Sequence, residues 1–460
     1  MELACIVPFR RMQPLPDKAA FGEGLFAKWC EIKKIRPDIR LHSSLHGISA
    51  NRRGNPDLKT LQPKENGPKM QFQDAQRREK RLPLDGVVIL DLSIQVPGPY
   101  CSMILADLGA EVIKIENTRE GDPARLLPFL YNSLNRNKKS ICLNLKSPAA
   151  KDIFYRLARR ADVLIEGFRP GVCQKLNVDY ETIKNINPQI VYCSITGYGQ
   201  EGPYRNKPGH DINYLGYAGI LSLEEDLHAY SKMPAIPLAD VSGSMFATIS
   251  ILTALLARRK DGIGQYIDVS MTAGVFSWLG ASLSSGFQGQ KDSESLYIPH
   301  YGLFQTQNGK WISLGIVHEE HFWNKLCNIM DIEDWASLDL FSRIARREEI
   351  SALLKKIFLT RNLEEWLTLL NKADIPCGPV YNLEESFTDA QTQYRQADPK
   401  NKNFVQEETQ FRAFPAIFSE FDTGKNIPPP LPGMHTFEIL RTLGHTDDEI
   451  RRLLKEQVVG

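Results

Sequence analysis

Three ionisable side chains, Asp240, His210 and Glu319, occur in sequence contexts that are compatible with a catalytic role. Asp240 follows an apolar approach and precedes a long apolar stretch, so it is either a helix-capping residue or a carboxylate at the end of a strand, where α/β sheets bind ligands. His210 lies beside Asp211, and such a pair forms either a cap or surface contact or a general acid–base group. Glu319 is either a proton-handling acid or a helix-start acid favoured by the macrodipole. Residue types alone leave these alternatives open.

A glycine-rich segment from Gly197 to Gly202 has the spacing G-x-G-x-x-G directly after a predicted strand. In a dinucleotide site the last glycine opens a helix that holds pyrophosphate, whereas here Pro203 and Pro208 bracket a basic loop. The sequence therefore predicts no NAD site. Gly197 and Gly199 are left with two possible roles, which are a tight turn near a site and direct contact with a ligand.

These residues need a scaffold, and the apolar pattern from Leu82 onward predicts alternating strands and helices. Apolar runs at 87–90 and 112–115 flank a segment with helical spacing at 100–108, which forms a β-α-β unit with parallel strands. The same order continues with strands at 140–145, 163–165, 190–195 and 266–269, and helices at 149–160, 180–185, 246–259 and 447–454. We predict an α/β protein with a Rossmann-like doubly wound large domain and a smaller mixed α/β domain.

Changes in composition predict four segments. Residues 1–81 form a basic N-terminal extension expected to be disordered, residues 82–285 the large domain, residues 286–395 the small domain, and residues 396–460 a segment returning to the large domain. Residues 1–82 hold seventeen Lys and Arg against nine Asp and Glu, so they are electrostatically distinct from the rest. The extension is interpreted as disordered chain or a mis-assigned start before Met70, with a mitochondrial presequence as the alternative.

The bulk composition narrows the class of protein. The chain has 460 residues, of which 42% are hydrophobic and 24% charged, as in ordinary globular proteins. Its eight cysteines lack metal-ligand spacing, which predicts reduced thiols and no metal site. We expect no membrane partner, because no apolar run reaches roughly 20 residues, and no nucleic-acid partner, because the basic run 77–81 has no interleaved aromatic residues. The predicted location is cytoplasmic, or mitochondrial if the extension is a presequence.

Several short motifs occur in a fixed order along the chain. They are LPLDG (82–86), LGAEVIKIE (108–116), NRNKKS (135–140), ADVLIEGFRPG (161–171), ITGYGQ (195–200), DVSM (268–271), PCGPV (376–380) and PGMHT (432–436). In this order they resemble the class III CoA-transferases of the CaiB/BaiF type, whose superfamily includes formyl-CoA transferase and α-methylacyl-CoA racemase. The resemblance covers Leu82 to the C-terminus.

The resemblance implies an enzyme that uses acyl-CoA and a carboxylic acid as substrates and holds no permanently bound cofactor. It also implies an intertwined homodimer. Asp240 falls on the family's catalytic aspartate, which in the transferases attacks the thioester and forms an aspartyl intermediate. The residues predicted to contact coenzyme A are Lys114, Arg119, Lys175, Gly197 and Gly199.

The same residues also match the racemase branch of the family. There His210 and Asp240 would stand on opposite faces of C2 of the substrate, and Glu319 would orient His210. The string GHDINY (209–214) is similar to racemases, whereas IPCGPV (375–380) and the tail are similar to transferases. The glycine-rich loop of formyl-CoA transferases has no counterpart around Gly286 and Gly289, which argues against oxalate and formate as substrates.

Three functions follow from these matches. CoA transfer is the leading hypothesis and epimerisation of an α-methylacyl-CoA at C2 is the alternative. A catalytically silent CoA-binding scaffold is the third, and the presence of both Asp240 and His210 argues against it.

Overall fold

A computed structural model describes residues 82–222, 235–280, 298–396, 414–421 and 427–460. The predicted N-terminal extension, the segment around Gly286 and Gly289, and residues 397–413 and 422–426 of the predicted C-terminal segment lie outside these residues. Its description therefore starts at Leu82.

Six parallel strands form the central sheet. They are β1 (Val88–Asp91), β2 (Glu111–Glu116), β3 (Lys138–Cys142), β4 (Val163–Glu166), β5 (Val191–Thr196) and β6 (Gln265–Ser270). Their spatial order is β3-β2-β1-β4-β5-β6, and every neighbouring pair is parallel. This is the Rossmann-like, doubly wound arrangement that the sequence predicted. In such a sheet, ligands bind beyond the carboxyl ends of the strands.

Within the described residues of the large domain, eight α-helices alternate with these strands before the small domain begins. They are α1 (Pro97–Asp107), α2 (Pro128–Leu134), α3 (Pro148–Ala158), α4 (Val172–Leu176), α5 (Tyr180–Ile186), α6 (Asp211–Ala218), α7 (Leu238–Asp261) and α8 (Met271–Trp278). Apolar residues of α1, α6, α7 and α8 cover one face of the sheet. Those of α3 and α5 cover part of the other face. Because both faces are covered, β1, β4 and β5 are continuous apolar runs in the sequence.

A second, antiparallel sheet forms the smaller domain. Its strands are β7 (Tyr301–Gln305), β8 (Trp311–Gly315) and β9 (Cys377–Pro379), in the order β7-β8-β9. The helices that follow are α9 (Glu320–Ile329), α10 (Leu340–Ala345), α11 (Arg347–Phe358), α12 (Leu363–Lys372), α13 (Leu383–Thr388) and α14 (Ala390–Gln396). Trp323, Phe358 and Trp366 are fully buried in a core of its own. The smaller mixed domain predicted from the sequence is confirmed.

The last part of the chain packs on the large sheet. Helices α15 (Thr436–Thr442) and α16 (Asp447–Lys455) bury Leu440 and Ile450 against the face that α3 and α5 also cover. Near the end of the chain, Val459 forms an isolated antiparallel bridge with Leu143, just after β3. The large domain is therefore built from segments more than 300 residues apart.

By length and apolar composition alone, α7 would qualify as a membrane-spanning helix, as the core helix of a soluble protein also can. Half of its most apolar stretch is buried inside the protein. Its buried residues Ala247 and Ile251 pack into the core beneath the sheet.

Candidate functional site

Asp240 lies in the first turn of α7, which begins at Leu238, eight residues before the start that the sequence predicted. The helix cap is Pro237, so Asp240 is not the capping residue. A Cβ atom added at Gly243 would lie 2.6 Å from the Met271 side chain and 3.5 Å from Cγ2 of Ile195 near the end of β5. This close packing places the start of α7 at the carboxyl end of the sheet. The absent side chain of Gly243 thus serves helix packing.

The Asp240 carboxyl group is half-buried, and its electrostatic setting is unusual. Burial, and then the negative charge of Asp211, raise the pKa of Asp240 to about 7. Oδ1 of Asp211 accepts hydrogen bonds from the backbone N–H groups of Ala239 (2.6 Å) and Asp240 (3.2 Å). Burial and the charge of Asp240 also raise the pKa of Tyr214 to about 12. Near neutral pH the Asp240 carboxyl therefore exists in both protonation states, as acid–base chemistry requires.

His210 is exposed and occupies the cap position of α6. Its backbone N–H donates to Oδ1 of Asn213 at 3.0 Å. The next residue is Asp211, whose carboxylate touches the backbone of Asp240. The structure therefore brings His210 and Asp240 to the same corner of the large domain, as the epimerisation hypothesis requires.

Glu319 lies elsewhere, at the cap position of α9 in the small domain. Its Oε2 accepts a hydrogen bond from the backbone N–H of Val317 at 2.9 Å. This bond is the main cause of the lowered pKa of Glu319. Among the described residues, no hydrogen bond or ion pair joins Glu319 to His210. Its predicted role in orienting His210 thus gains no support from these contacts.

The glycine segment after β5 is a tight, closely packed turn. A Cβ atom added at Gly197 would lie 2.3 Å from Cε1 of Tyr214. Gly199 is buried with φ of +92°, in the left-handed region that favours glycine. The backbone N–H of Gln200 donates to Oδ2 of Asp268 at 2.9 Å. These contacts show that the close packing and the backbone conformation of the turn favour glycine at both positions. Contact of Gly197 and Gly199 with coenzyme A remains a prediction.

The three cations predicted to bind coenzyme A differ in availability. Lys114 is fully buried, with its Nζ 2.8 Å from Oδ2 of Asp122 and 2.9 Å from the carbonyl oxygen of Ser93. Contact with a phosphate would require this ion pair to open. Arg119 and Lys175 are exposed, and neither side chain has a hydrogen bond or ion pair within the described part of the chain.

A cleft of about 320 Å³ lies against β4, β5 and β6, and its wall includes Glu166, Tyr192 and Tyr266 of these strands. Two guanidinium groups line it, those of Arg169 and Arg205, and neither forms an ion pair with another described residue. Three tyrosines line it as well, namely Tyr180, Tyr192 and Tyr266. Arg169 also lies close enough to Tyr214 to lower its pKa electrostatically, so the cleft borders the corner that holds Asp240.

Sequence reasoning missed Asp211, Tyr214, Arg169 and Arg205 as site residues. For Arg169 a signal was present, because it stands four residues after the strand predicted at 163–165, where loops of parallel sheets carry functional groups. Asp211 gave no such signal, since its contacts join residues 28 and 29 apart. Within the described ranges, no group of three or more His, Cys, Asp and Glu side chains could hold a metal ion.

Comparison with known proteins places this arrangement among characterised enzymes. A family described as CoA-transferase family III matches residues 84–436. Human succinyl-CoA:glutarate CoA-transferase is 31% identical over 82% of this chain and 90% of its own. Mouse α-methylacyl-CoA racemase is also 31% identical, over 82% of this chain and 97% of its own. A crystal structure of a CaiB/BaiF family protein from Brucella suis is similar, with a TM-score of 0.69 and 28% identity over 79% of this chain and all of that one.

Proposed function

The chain belongs to CoA-transferase family III, and from this premise we propose that it moves coenzyme A from an acyl-CoA thioester to a carboxylic acid through a covalent intermediate at Asp240. Acyl-CoA would be a substrate, and no cofactor would stay bound. The observation that carries the proposal is the position of Asp240, half-buried in the first turn of α7 at the carboxyl end of the sheet.

The setting of Asp240 suits a nucleophile. A carboxylate in water is a weak nucleophile because its hydration shell must be removed, and burial removes part of that shell in advance. The raised pKa of Asp240, about 7, reflects the same loss of hydration. Once ionised, such a carboxylate is more reactive than one in bulk water.

The proposed reaction has four steps. The Asp240 carboxylate attacks the thioester carbon, the C–S bond breaks, and CoA thiolate leaves a mixed anhydride on the enzyme. The thiolate then attacks the aspartyl carbonyl, which releases the first acid and forms an enzyme–CoA thioester. The acceptor carboxylate attacks this thioester, the C–S bond breaks, and CoA thiolate leaves a second anhydride on Asp240. CoA thiolate finally attacks the acyl carbonyl of that anhydride, which frees the Asp240 carboxylate and the new acyl-CoA.

Coenzyme A carries several phosphate charges, and the cleft beside the site offers two arginines for them, alongside the carboxyl groups of Glu166, Asp179, Glu181 and Glu201. The guanidinium groups of Arg169 and Arg205 have no ionic partner among the described residues, and arginine binds phosphate through paired N–H donors. We include in the proposal that the nucleotide end of coenzyme A lies along this cleft, with Arg169 nearest to Asp240.

The intermediate can be tested directly by intact-mass spectrometry. Incubation with an acyl-CoA and no acceptor acid should add the mass of coenzyme A, less one water, to the protein. Hydroxylamine should remove the adduct, and the Asp240→Asn variant should show none. If wild-type protein turns over and the adduct appears on another residue, the assignment to Asp240 is wrong.

Epimerisation at C2 of a 2-methylacyl-CoA is the second candidate, favoured by the shared corner of His210 and Asp240 and by the similarity to mouse α-methylacyl-CoA racemase. Incubation in D₂O without acceptor acid separates the two. Deuterium entering C2 supports epimerisation, whereas CoA moving to an added acid supports transfer. Transfer that Asp240→Ala abolishes and His210→Ala preserves would decide for the first proposal.

We also propose that two chains form a homodimer. Apolar side chains on the outer surfaces of α7 and α8 support this, since Ile249, Leu256, Phe276 and Trp278 are each about half exposed. Sedimentation equilibrium of the full chain should give twice the monomer mass. A monomer that is active at micromolar concentration would contradict the proposal.

A further inference from the structure

Asp211 has contacts that its place in the sequence does not reveal. It is the first residue of α6, and its side chain reaches the first turn of another helix, α7. That helix starts after Pro237, which has no side-chain acceptor for the free N–H groups of the first turn. Oδ1 of Asp211 accepts two of them, from Ala239 and Asp240, at 2.6 and 3.2 Å. Asp211 is thus the cap of α7, supplied from 28 residues away in the chain.

The position of this cap matters because of the residue that it holds. One of the two bonded N–H groups belongs to Asp240 itself, so the bond fixes the backbone from which the Asp240 carboxyl projects. Asp211 also follows His210 directly. The same side chain therefore sets the spacing between α6, with His210 at its start, and the first turn of α7.

The charge of Asp211 acts on the same neighbour. Its carboxylate receives two N–H bonds, whereas the Asp240 carboxyl receives no hydrogen bond from the described residues. Burial raises the pKa of Asp211, but its two N–H bonds favour the ionised form and oppose that rise, so Asp211 ionises first of the two and its charge opposes ionisation of Asp240. The other titratable groups near this pair are His210 and Tyr214, at the start of α6 and within it, and, beside Tyr214, Arg169 after β4.

We infer that Asp211 is a positioning residue that holds the first turn of α7, and with it Asp240, in place for reaction, and that its charge sets the pH at which Asp240 becomes reactive. The inference rests on the proposed role of Asp240. It assigns no contact between Asp211 and the substrate.

The test is the pH dependence of kcat/KM for CoA transfer by the full chain, measured from pH 5 to 9. For wild-type protein we expect activity to fall below about pH 7, where Asp240 takes up a proton. The Asp211→Asn variant keeps an oxygen acceptor and loses the charge. The fall in its kcat/KM at acid pH (the acid limb of the profile) should move about one unit to lower pH. The maximal kcat/KM should be reduced only a few-fold.

Two further variants separate position from charge. Asp211→Glu keeps the charge but displaces the acceptor, so kcat should fall about tenfold while the acid limb stays. Asp339→Asn is the matched control, because Asp339 caps α10 in the small domain through the backbone N–H of Ser342 at 2.7 Å. That substitution should leave the acid limb unmoved.

The thermal melting temperature of each variant is measured alongside its pH profile, to separate loss of activity from loss of folding. An Asp211→Asn profile that superimposes on the wild-type profile, in a protein that melts normally, would overturn the inference. Failure of both the Asn and Glu variants to fold would do the same, because Asp211 would then serve only the fold. If wild-type protein exchanges the C2 hydrogen and transfers no CoA, the proposed function is wrong. The fall in rate at acid pH is then measured on the exchange reaction for the same variants, because that reaction also needs ionised Asp240.

Discussion

Nζ of Lys138 on β3 lies 3.2 Å from Oδ2 of Asp91 on β1, and both side chains are fully buried. The same lysine donates to the carbonyl oxygen of Pro99 and to Oδ1 of Asn135, each at 2.9 Å. Burial by itself would raise the pKa of Asp91, but the charges of Lys138 and Lys114, together with hydrogen bonds from Ser102 and Ser93, outweigh burial and hold that pKa at about 2. This ion pair lies inside the sheet, at the carboxyl end of β1.

Removing the Lys138 charge from the ion pair with Asp91 should strongly destabilise the fold. Lys138→Met leaves the Asp91 charge buried with Lys114 as its remaining cationic neighbour, and we expect the free energy of unfolding to fall by about 3–5 kcal/mol. Urea unfolding followed by circular dichroism measures the change. The neighbouring Lys139 pairs with Glu111 at 2.6 Å on the exposed surface, so Lys139→Met should cost less than about 1 kcal/mol. Equal losses in the two variants would contradict the difference in burial.

Asp240 should lower stability at alkaline pH. Its pKa in the folded protein is about 7, above the ordinary value of 3.8, so the folded state binds the proton more tightly than the unfolded state. The resulting stabilisation is complete below about pH 4 and is lost as the pH rises through 7. Asp240→Asn should therefore be more stable than wild type by on the order of 2 kcal/mol at pH 8, with no difference near pH 4.

Urea unfolding at both pH values checks this prediction. Asp339→Asn is the contrasting control, because hydrogen bonds lower the pKa of Asp339. The stabilisation from Asp339 is present above its ordinary pKa and lost in acid, so its removal should be destabilising at pH 8. A destabilised Asp240→Asn variant at pH 8 would mean that Asp240 is not strained by burial.

The turn after β5 should not tolerate a side chain at its first glycine. In Gly197→Ala the new methyl group would lie 2.3 Å from the Tyr214 ring, which must shift near Asp240. We expect a loss of about 1–3 kcal/mol in stability, and about tenfold in kcat. Gly302→Ala is the control, since an added Cβ there meets no atom within 4 Å. Full activity of Gly197→Ala would show that Tyr214 can move without consequence.

The cleft arginines should bind coenzyme A. Arg169→Met and Arg205→Met are each expected to raise KM for acyl-CoA about tenfold with a smaller effect on kcat. Arg259→Met, an exposed substitution at the far end of α7, should change neither. If instead only Arg119→Met and Lys175→Met raise KM, the coenzyme lies where the sequence resemblance placed it and not along this cleft.

The sequence predicted the large sheet well because its strands are covered on both faces. Apolar runs at 87–90 and 112–115 correspond to β1 and β2. It predicted α7 to start too late, because Ser242, Gly243 and Ser244 have the composition of a loop. In the fold these three small residues are buried, where a bulky side chain at Gly243 would collide with Met271.

Other features depend on contacts that no local pattern contains. Strand β9 has only three residues, Cys377–Pro379, and is a strand because it pairs with β8 more than sixty residues away. Asp240 and His210 were identified by their resemblance to the family, but the capping contact of Asp211 joins two helices and leaves no periodic signal. The cellular location stays a prediction because it depends on the N-terminal extension.

The packing of α15 and α16 on the large sheet has a consequence for how the protein is made. During synthesis the ribosome releases β1 to β6 and the whole small domain before these two helices emerge. Part of one face of the nascent sheet therefore stays exposed to solvent until α15 and α16 emerge. The small domain has a separate core and can fold before then. Chaperones would bind the nascent protein mainly at that exposed apolar surface. Nonsense mutations that remove α15 and α16 should yield aggregated protein instead of a shortened active enzyme.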